Sequence, residues 1–174
     1  VPLHWAKLWS VDFGINHPFA AVLLAFDRDI DCVHVLHEIR IADGLPVNHA
    51  QAMKRIATNV PVAWPQDGTQ RDKKTGKPLA EHYKAEGLHM LDKHATWPDG
   101  SVSTEAAVTD MLTRMQHARM KVGAHCFMWL EEYRNYHRKD GEIVKVKDDL
   151  LSATQKGLMM KRFARSVPLG SMKS

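Results

Sequence analysis

The run Leu8-Trp9-Ser10-Val11-Asp12-Phe13-Gly14 constrains this chain most, because an apolar, strand-like stretch ends there in a carboxylate and a glycine. Leucine, tryptophan and valine suit a covered strand, whereas aspartate rarely enters one unless something pairs with it. The strand would deliver Asp12 to its end, and Gly14 would let the chain turn. Taken alone, Asp12 reads equally well as a side chain that caps the following turn. Residues 60–64 repeat the device, since a short apolar run hands over to Pro65-Gln66-Asp67-Gly68.

Between these two points the pattern is that of a meander followed by a helix. Residues 19–26 and 32–41 read as second and third strands, with Val33, Val35 and Ile39 on one side of the third. Ala50, Met53, Ile56 and Ala57 recur at helical spacing after the break at Gly44-Leu45-Pro46. Beyond Asp67, residues 69–78 form a polar, basic surface loop, and residues 79–86 a short helix closed by Gly87. Residues 88–97 read as another strand with an irregular end. Ser103 caps a helix whose stripe is Val108, Met111, Leu112 and Met115 and which ends near Met120. Residues 123–130 are apolar and short, and residues 131–140 are charged. Arg138-Lys139-Asp140-Gly141 is a hairpin-type turn into a strand at 143–146. Asp148-Asp149 begins a last helix with the stripe Leu150, Ala153, Gly157, Met160 and Ala164, so its N-terminal acids sit at one end of the sheet.

A length of 174 residues, with 44% hydrophobic and 25% charged residues, suits one soluble α/β domain. We expect that domain over residues 1–165, with a flexible tail at 166–174. No apolar run is long enough for a membrane span, no secretion signal is visible, and the start at Val1 reads as a cut from something longer. Two distant cysteines, Cys32 and Cys126, make neither a disulfide framework nor a zinc knuckle, which points to a reducing cytoplasm. The net charge of +4 is compatible with a nucleic-acid partner without requiring one.

Carboxylates thus stand at three element ends: Asp12, Asp67 and the Asp148-Asp149 pair. Magnesium or manganese takes hard oxygen ligands, and two ions roughly 4 Å apart need shared carboxylates. Asp12 is the natural bridge. One ion would activate a water and the other would stabilise the departing oxyanion of a phosphodiester.

Four segments in this order, Trp9-Ser10-Val11-Asp12-Phe13-Gly14 with Asn16-His17-Pro18, Val62-Ala63-Trp64-Pro65-Gln66-Asp67-Gly68, Tyr136-His137-Arg138-Lys139-Asp140-Gly141, and Asp148-Asp149-Leu150-Leu151-Ser152-Ala153, span nearly the whole chain. Together they resemble the C-terminal nuclease domain of tailed-bacteriophage terminase large subunits. The resemblance implies an RNase H-like fold, a mixed central β-sheet flanked by helices. It implies a metal-dependent endonuclease, using two Mg2+ or Mn2+ ions, that cuts concatemeric double-stranded viral DNA during packaging in the host cytoplasm. By this likeness Asp12, Asp67 and one of Asp148 or Asp149 are the metal ligands, with Asp149 favoured by comparison with related resolvases. A P-loop ATPase motor, the small terminase subunit and the portal are the implied partners. No Gly-x-x-x-x-Gly-Lys-Ser/Thr sequence occurs here, so translocation is not expected of this chain.

Each acid also has a plain structural reading: Asp148 or Asp149 as a helix cap, Asp67 as a turn residue. Eleven histidines invite a zinc site, but His34 and His37, three apart in a strand, are expected on opposite faces, and the spacing of His89 and His94 is no better. His17 follows Asp12 closely enough to orient a water or phosphate, but its first reading is as a turn residue. The methionines at 111, 115, 159 and 160 are read as core. Arg71, Lys73, Lys74 and Lys77 form one basic candidate for the DNA backbone, and Arg134, Arg138, Lys139, Lys145 and Lys147 a second; either would otherwise be a solvated surface. Competing functions are a Holliday-junction resolvase or integrase with the same three acids, an actin-like nucleotide-binding lobe, and a non-catalytic DNA-binding scaffold.

Overall fold

The computed structural model describes residues 1–144 and 147–167. Three antiparallel strands, β1 (Ala6–Asp12), β2 (Phe19–Asp27) and β3 (Cys32–Ile41), make the meander. Helix α1 (Pro46–Ile56) leads to β4 (Pro61–Ala63), a 3-10 turn (Gln66–Thr69), α2 (Leu79–Ala85) and β5 (His89–Met90). Helix α3 (Thr104–Gln116) precedes β6 (Met120–Val122), α4 (Phe127–Asn135), the hairpin β7 (His137–Lys139) and β8 (Glu142–Val144), and finally α5 (Asp149–Met159).

The main sheet runs β5-β4-β1-β2-β3-β6, and β4, β5 and β6 pair in parallel with their neighbours. Strands β1 and β2 are buried on both faces, so helices cover both sides of the sheet there, while β3 is partly exposed. One core joins Leu8, Val22, Leu24, Val33 and Met111 to Leu150 and Leu151 of α5. The other joins Trp9, Val11, Phe19, Leu23 and Met53 to Tyr83 of α2. This is the mixed, helix-flanked sheet expected from the resemblance. Among the described residues no helix is long and apolar enough to cross a membrane.

Helix α5 lies very close to the sheet. The Ser10 hydroxyl donates to the Ala153 carbonyl at 2.6 Å, and a Cβ on Gly157 would sit 2.4 Å from Leu24 Cδ1 and 3.1 Å from Ser10 Cβ. Gly157→Ala is therefore expected to push the helix outward and to cost about 1–3 kcal/mol as overpacking. An unchanged urea-unfolding midpoint would contradict this contact.

Several expectations need correction. The alternation in β3 does not hold: Leu23 faces His37 while Leu24 faces Val35, so Leu36 is an extra residue in a bulge. Val33 and Val35 consequently join the α5-side core, whereas Ile39 joins the opposite one. The same bulge puts His34 and His37 on one face, opposite Ala25 and Leu23. His34 instead meets the Trp5 ring and His37 the His125 ring. Of residues 88–97 only His89 and Met90 pair, because β4 is short and ends before Pro65. Helix α3 stops at Gln116, where Ala118 takes a φ of 54° and the Arg119 N–H bonds back to the Arg114 carbonyl, and Met120 opens β6. Residues 127–135 are a helix. In the presumed tail, the Ser166 hydroxyl donates to the His4 carbonyl at 2.7 Å and Val167 is buried. Lys145, Val146 and residues 168–174 lie outside the described residues, as does the Arg138 side chain.

Candidate active site

Period-two alternation along β1 turns Leu8, Ser10 and Asp12 toward α5 and Trp9 and Val11 toward α1 and α2. Asp12, 7% exposed, thus arrives beneath the first turns of α5, where the Ser152 side chain hydrogen-bonds its carboxylate. β4 is parallel to β1, with Ser10 opposite Ala63, so both strands point their C-terminal ends the same way. The 3-10 turn after β4 then brings Asp67 to that end. Asp12, Asp67, Ser152 and Lys156 share a cavity of about 390 Å³. Asp12, Lys147, Asp148, Asp149 and Ser152 share a second of about 440 Å³, and Asp12 and His17 belong to both.

Neither Asp148 nor Asp149 caps α5, since the N-cap side chain makes no capping hydrogen bond. Glu132 of α4 does that work instead. Its Oε2 accepts the backbone N–H groups of Leu150 (2.8 Å) and Leu151 (3.0 Å), two of the orphan donors of the first turn. Arg40 Nη1 holds the other oxygen, Oε1, at 2.9 Å. In the same way, Glu38 accepts the Met128 and Trp129 N–H groups at the start of α4. Because a neighbour supplies the cap, both aspartates remain directed to the second cavity. Glu132 is 2% exposed, and burial pushes its carboxyl up to about 7, against the lowering by the Leu151 N–H and Arg40.

The turn at 14–18 folds His17 back over the acids. Gly14 has a φ of +67°, and a Cβ there would come 2.3 Å from the His17 carbonyl oxygen, so only glycine closes this turn. His17 Nδ1 lies 2.9 Å from Asp149 Oδ1, and Nε2 lies 3.5 Å from Asp12 Oδ1. Burial pulls the His17 imidazole down in pKa, but the charges of Asp12, Asp149 and Asp67 and the Pro18 carbonyl lift it above its ordinary value. Asp12, Asp67 and Asp149 are all raised as well, in each case chiefly by burial.

Hard oxygen donors of this kind suit a divalent cation of the magnesium or manganese type. Asp67 Oδ1 is moreover buried without a hydrogen-bond partner, the state of an acceptor awaiting a cation. Among the described residues, however, no three His, Cys, Asp or Glu side chains are grouped tightly enough to hold an ion as they stand. His17 stands between Asp12 and Asp149 and would have to give way.

The sequence-derived basic residues divide. Lys147 lines the second cavity beside Asp148 and Asp149. Arg71, Lys73, Lys74, Lys77 and Lys139 are exposed, and none lines either acid-bearing cavity. Arg71 Nη1 is turned to the Gly76 carbonyl at 2.7 Å within its own loop. Sequence reasoning missed Ser152, Lys156 and Glu132. The first two had a signal, since 149, 152 and 156 fall on one helix face; Glu132 had none.

The family profile described as Terminase RNaseH-like domain matches residues 9–161. The large terminase subunit of Salmonella phage P22 is 41% identical over 165 residues, 94% of this chain but 33% of that protein, so the chain spans about a third of that relative's length. The solved P22 large terminase nuclease domain superposes with a TM-score of 0.88 at 40% identity, covering 95% of this chain and 86% of that one. The nuclease domain of the large terminase of bacteriophage SPP1, solved with bound manganese, shares the fold at a TM-score of 0.62 and 12% identity, over 90% of this chain and 86% of that one. With the profile match running from β1 through α5, the two strands and the helix that carry the acids, the chain belongs to the terminase RNase H-like domain family.

Proposed function

We propose that this chain is the nuclease part of a phage large terminase, an endonuclease that hydrolyses phosphodiester bonds of concatemeric double-stranded viral DNA during packaging. The carrying observation is that Asp12, Asp67 and Asp149, from three distant segments, line two cavities that share Asp12 and His17, with His17 2.9 Å from Asp149 and 3.5 Å from Asp12. Asp12, Asp67 and Asp149 are the ligands of two divalent ions, Mg2+ or Mn2+, with Asp148 adjoining. Such ions supply Lewis acidity and a water of lowered pKa.

The chain's own groups prepare that centre. Ser152 and the Gly14 N–H hold the Asp12 carboxylate in place. Glu132 fixes the first turn of α5 and thereby Asp149. His17, 2.9 Å from Asp149 and 3.5 Å from Asp12, offsets the mutual repulsion of the carboxylates and would have to move aside for bound cations. Lys147, beside this centre, contacts the DNA backbone, and Arg71, Lys73, Lys74, Lys77, Arg138 and Lys139 extend that contact; phosphate contacts of this kind carry no sequence information, so cutting shows little base preference. The manganese bound by the SPP1 domain supports the choice of ion. In the full-length subunit a P-loop ATPase motor, and in the packaging assembly the small terminase and portal, bring DNA to this site in the host cytoplasm.

Supercoiled plasmid incubated with the purified chain is expected to be nicked and linearised with Mn2+ or Mg2+, and left intact with Ca2+ or EDTA. A folded chain that leaves plasmid intact with every metal would refute autonomous cleavage. Preferential cutting of a four-way junction over linear duplex would move the chain to the resolvases.

A further inference from the structure

Among the described residues, Lys156 is the lysine that lines the Asp12–Asp67 cavity, which it shares with His17. Asp149, Ser152 and Lys156 fall on one face of α5, so the lysine stands about 10 Å along the helix from Asp149, on the Asp67 side. It is half-buried, and its charge reaches Asp67, whose carboxyl it lowers against the effect of burial. Lys147 occupies the corresponding position in the Asp149 half. The acid cluster is therefore divided into two halves, each with its own lysine, and Asp12 is common to both.

This arrangement has a chemical requirement. A phosphodiester is an anion, and it must enter a cavity walled by carboxylates whose charge already exceeds that of the lysines. As water attacks, one phosphorus–oxygen bond forms and one ester phosphorus–oxygen bond breaks; the water gives up a proton, the leaving oxygen gains one, and negative charge builds on the phosphoryl oxygens in between. A fixed cation aimed at those oxygens acts most strongly in a water-poor cavity. Lys147 is exposed, whereas Lys156 is half-buried.

We infer that Lys156 is a catalytic residue, holding a non-bridging oxygen of the scissile phosphate on the Asp67 side of the site. It contributes through its charge and not as a proton donor or acceptor. The inference rests on the nuclease reading above and adds to it a contact made by the protein to the reacting group.

Single-turnover cleavage of a labelled duplex at saturating Mn2+ tests it, with duplex affinity measured separately in EDTA. Lys156→Gln is expected to slow cleavage about 100-fold, as for loss of one charge-stabilising donor. Duplex affinity should change by less than about threefold, because one phosphate contact among many is lost. Lys156→Arg should recover about tenfold of the loss. Lys156→Met, which keeps the apolar stem, replaces Lys156→Gln if that variant melts early. A lysine that only neutralised Asp67 would give the opposite result: its removal would lower the Mn2+ concentration for half-maximal cleavage and leave the rate equal or higher, overturning the inference. Wild-type cleavage with an unaffected Lys156→Gln variant refutes Lys156 alone; no cleavage by wild type refutes the nuclease reading and this inference with it.

Discussion

Asp12→Asn is expected to abolish DNA cleavage, by about 10³-fold or more, in a chain that folds as well as wild type. A loss of that size corresponds to about 4 kcal/mol of transition-state stabilisation. It follows from position: Asp12 is the acid shared by both cavities, so its loss disables both halves of the site. Asparagine keeps an oxygen for the hydrogen bonds of Ser152 and Gly14. It also removes a charge that burial makes costly, since the Asp12 carboxyl stands above its ordinary value. The thermal midpoint without metal should then equal or slightly exceed that of wild type at pH 7.5. Added Mn2+ should raise the wild-type midpoint and leave that of the variant nearly unchanged. Cleavage within tenfold of wild type would remove Asp12 from the centre of the mechanism.

The largest effect on stability is expected at Glu132, far from the residues a nuclease motif would single out. Glu132→Ala strips the Leu150 and Leu151 N–H groups of their acceptor and leaves Arg40 without its carboxylate. Unsatisfied buried groups and a broken, half-buried ion pair together cost about 3–5 kcal/mol. In a domain of this size the melting temperature should fall by about 10 °C. Glu132→Gln keeps one acceptor oxygen and should lose much less. It also tests a pH dependence. The folded state holds the Glu132 proton up to about 7, above the ordinary glutamate value of 4.5, so this group stabilises the fold most below about 4.5, and that contribution is lost as the pH rises to about 7. Wild-type stability should therefore decline across this window from this cause, and Glu132→Gln should flatten the decline. An equal change in urea-unfolding free energy between pH 5 and pH 7 for wild type and Glu132→Gln would rule it out.

The meander, α1 and the two acids at strand ends were readable because apolar runs stop abruptly at Asp12 and Asp67, and such stops are rare without a reason. The hairpin turn at Asp140-Gly141 was equally plain, both residues having the positive φ that this pair favours. The bulge at Leu36 was not readable, since alternation looks the same on either side of an inserted residue. β6 is only Met120-Lys121-Val122, and its strand character comes from the β3 edge beside it. Helix α4 was hidden for a related reason: its first turn has no capping side chain of its own, and Glu38, some ninety residues earlier, provides the cap. Glu132 lies within the charged stretch 131–140, where nothing distinguishes a buried acid from a solvated one. Long-range capping leaves no local trace in sequence.

The placement of α5 also bears on how the site assembles. The helix packs on β1 and β2, which are distant from it in sequence, and it carries Asp149 to Asp12. While α5 is undocked, β1, Asp12 and Asp67 have neither the seal over Leu8 and Leu24 nor the third acid. Core and acid cluster are completed by one docking event, so the long-range contact that closes the fold is also the one that brings the carboxylates together.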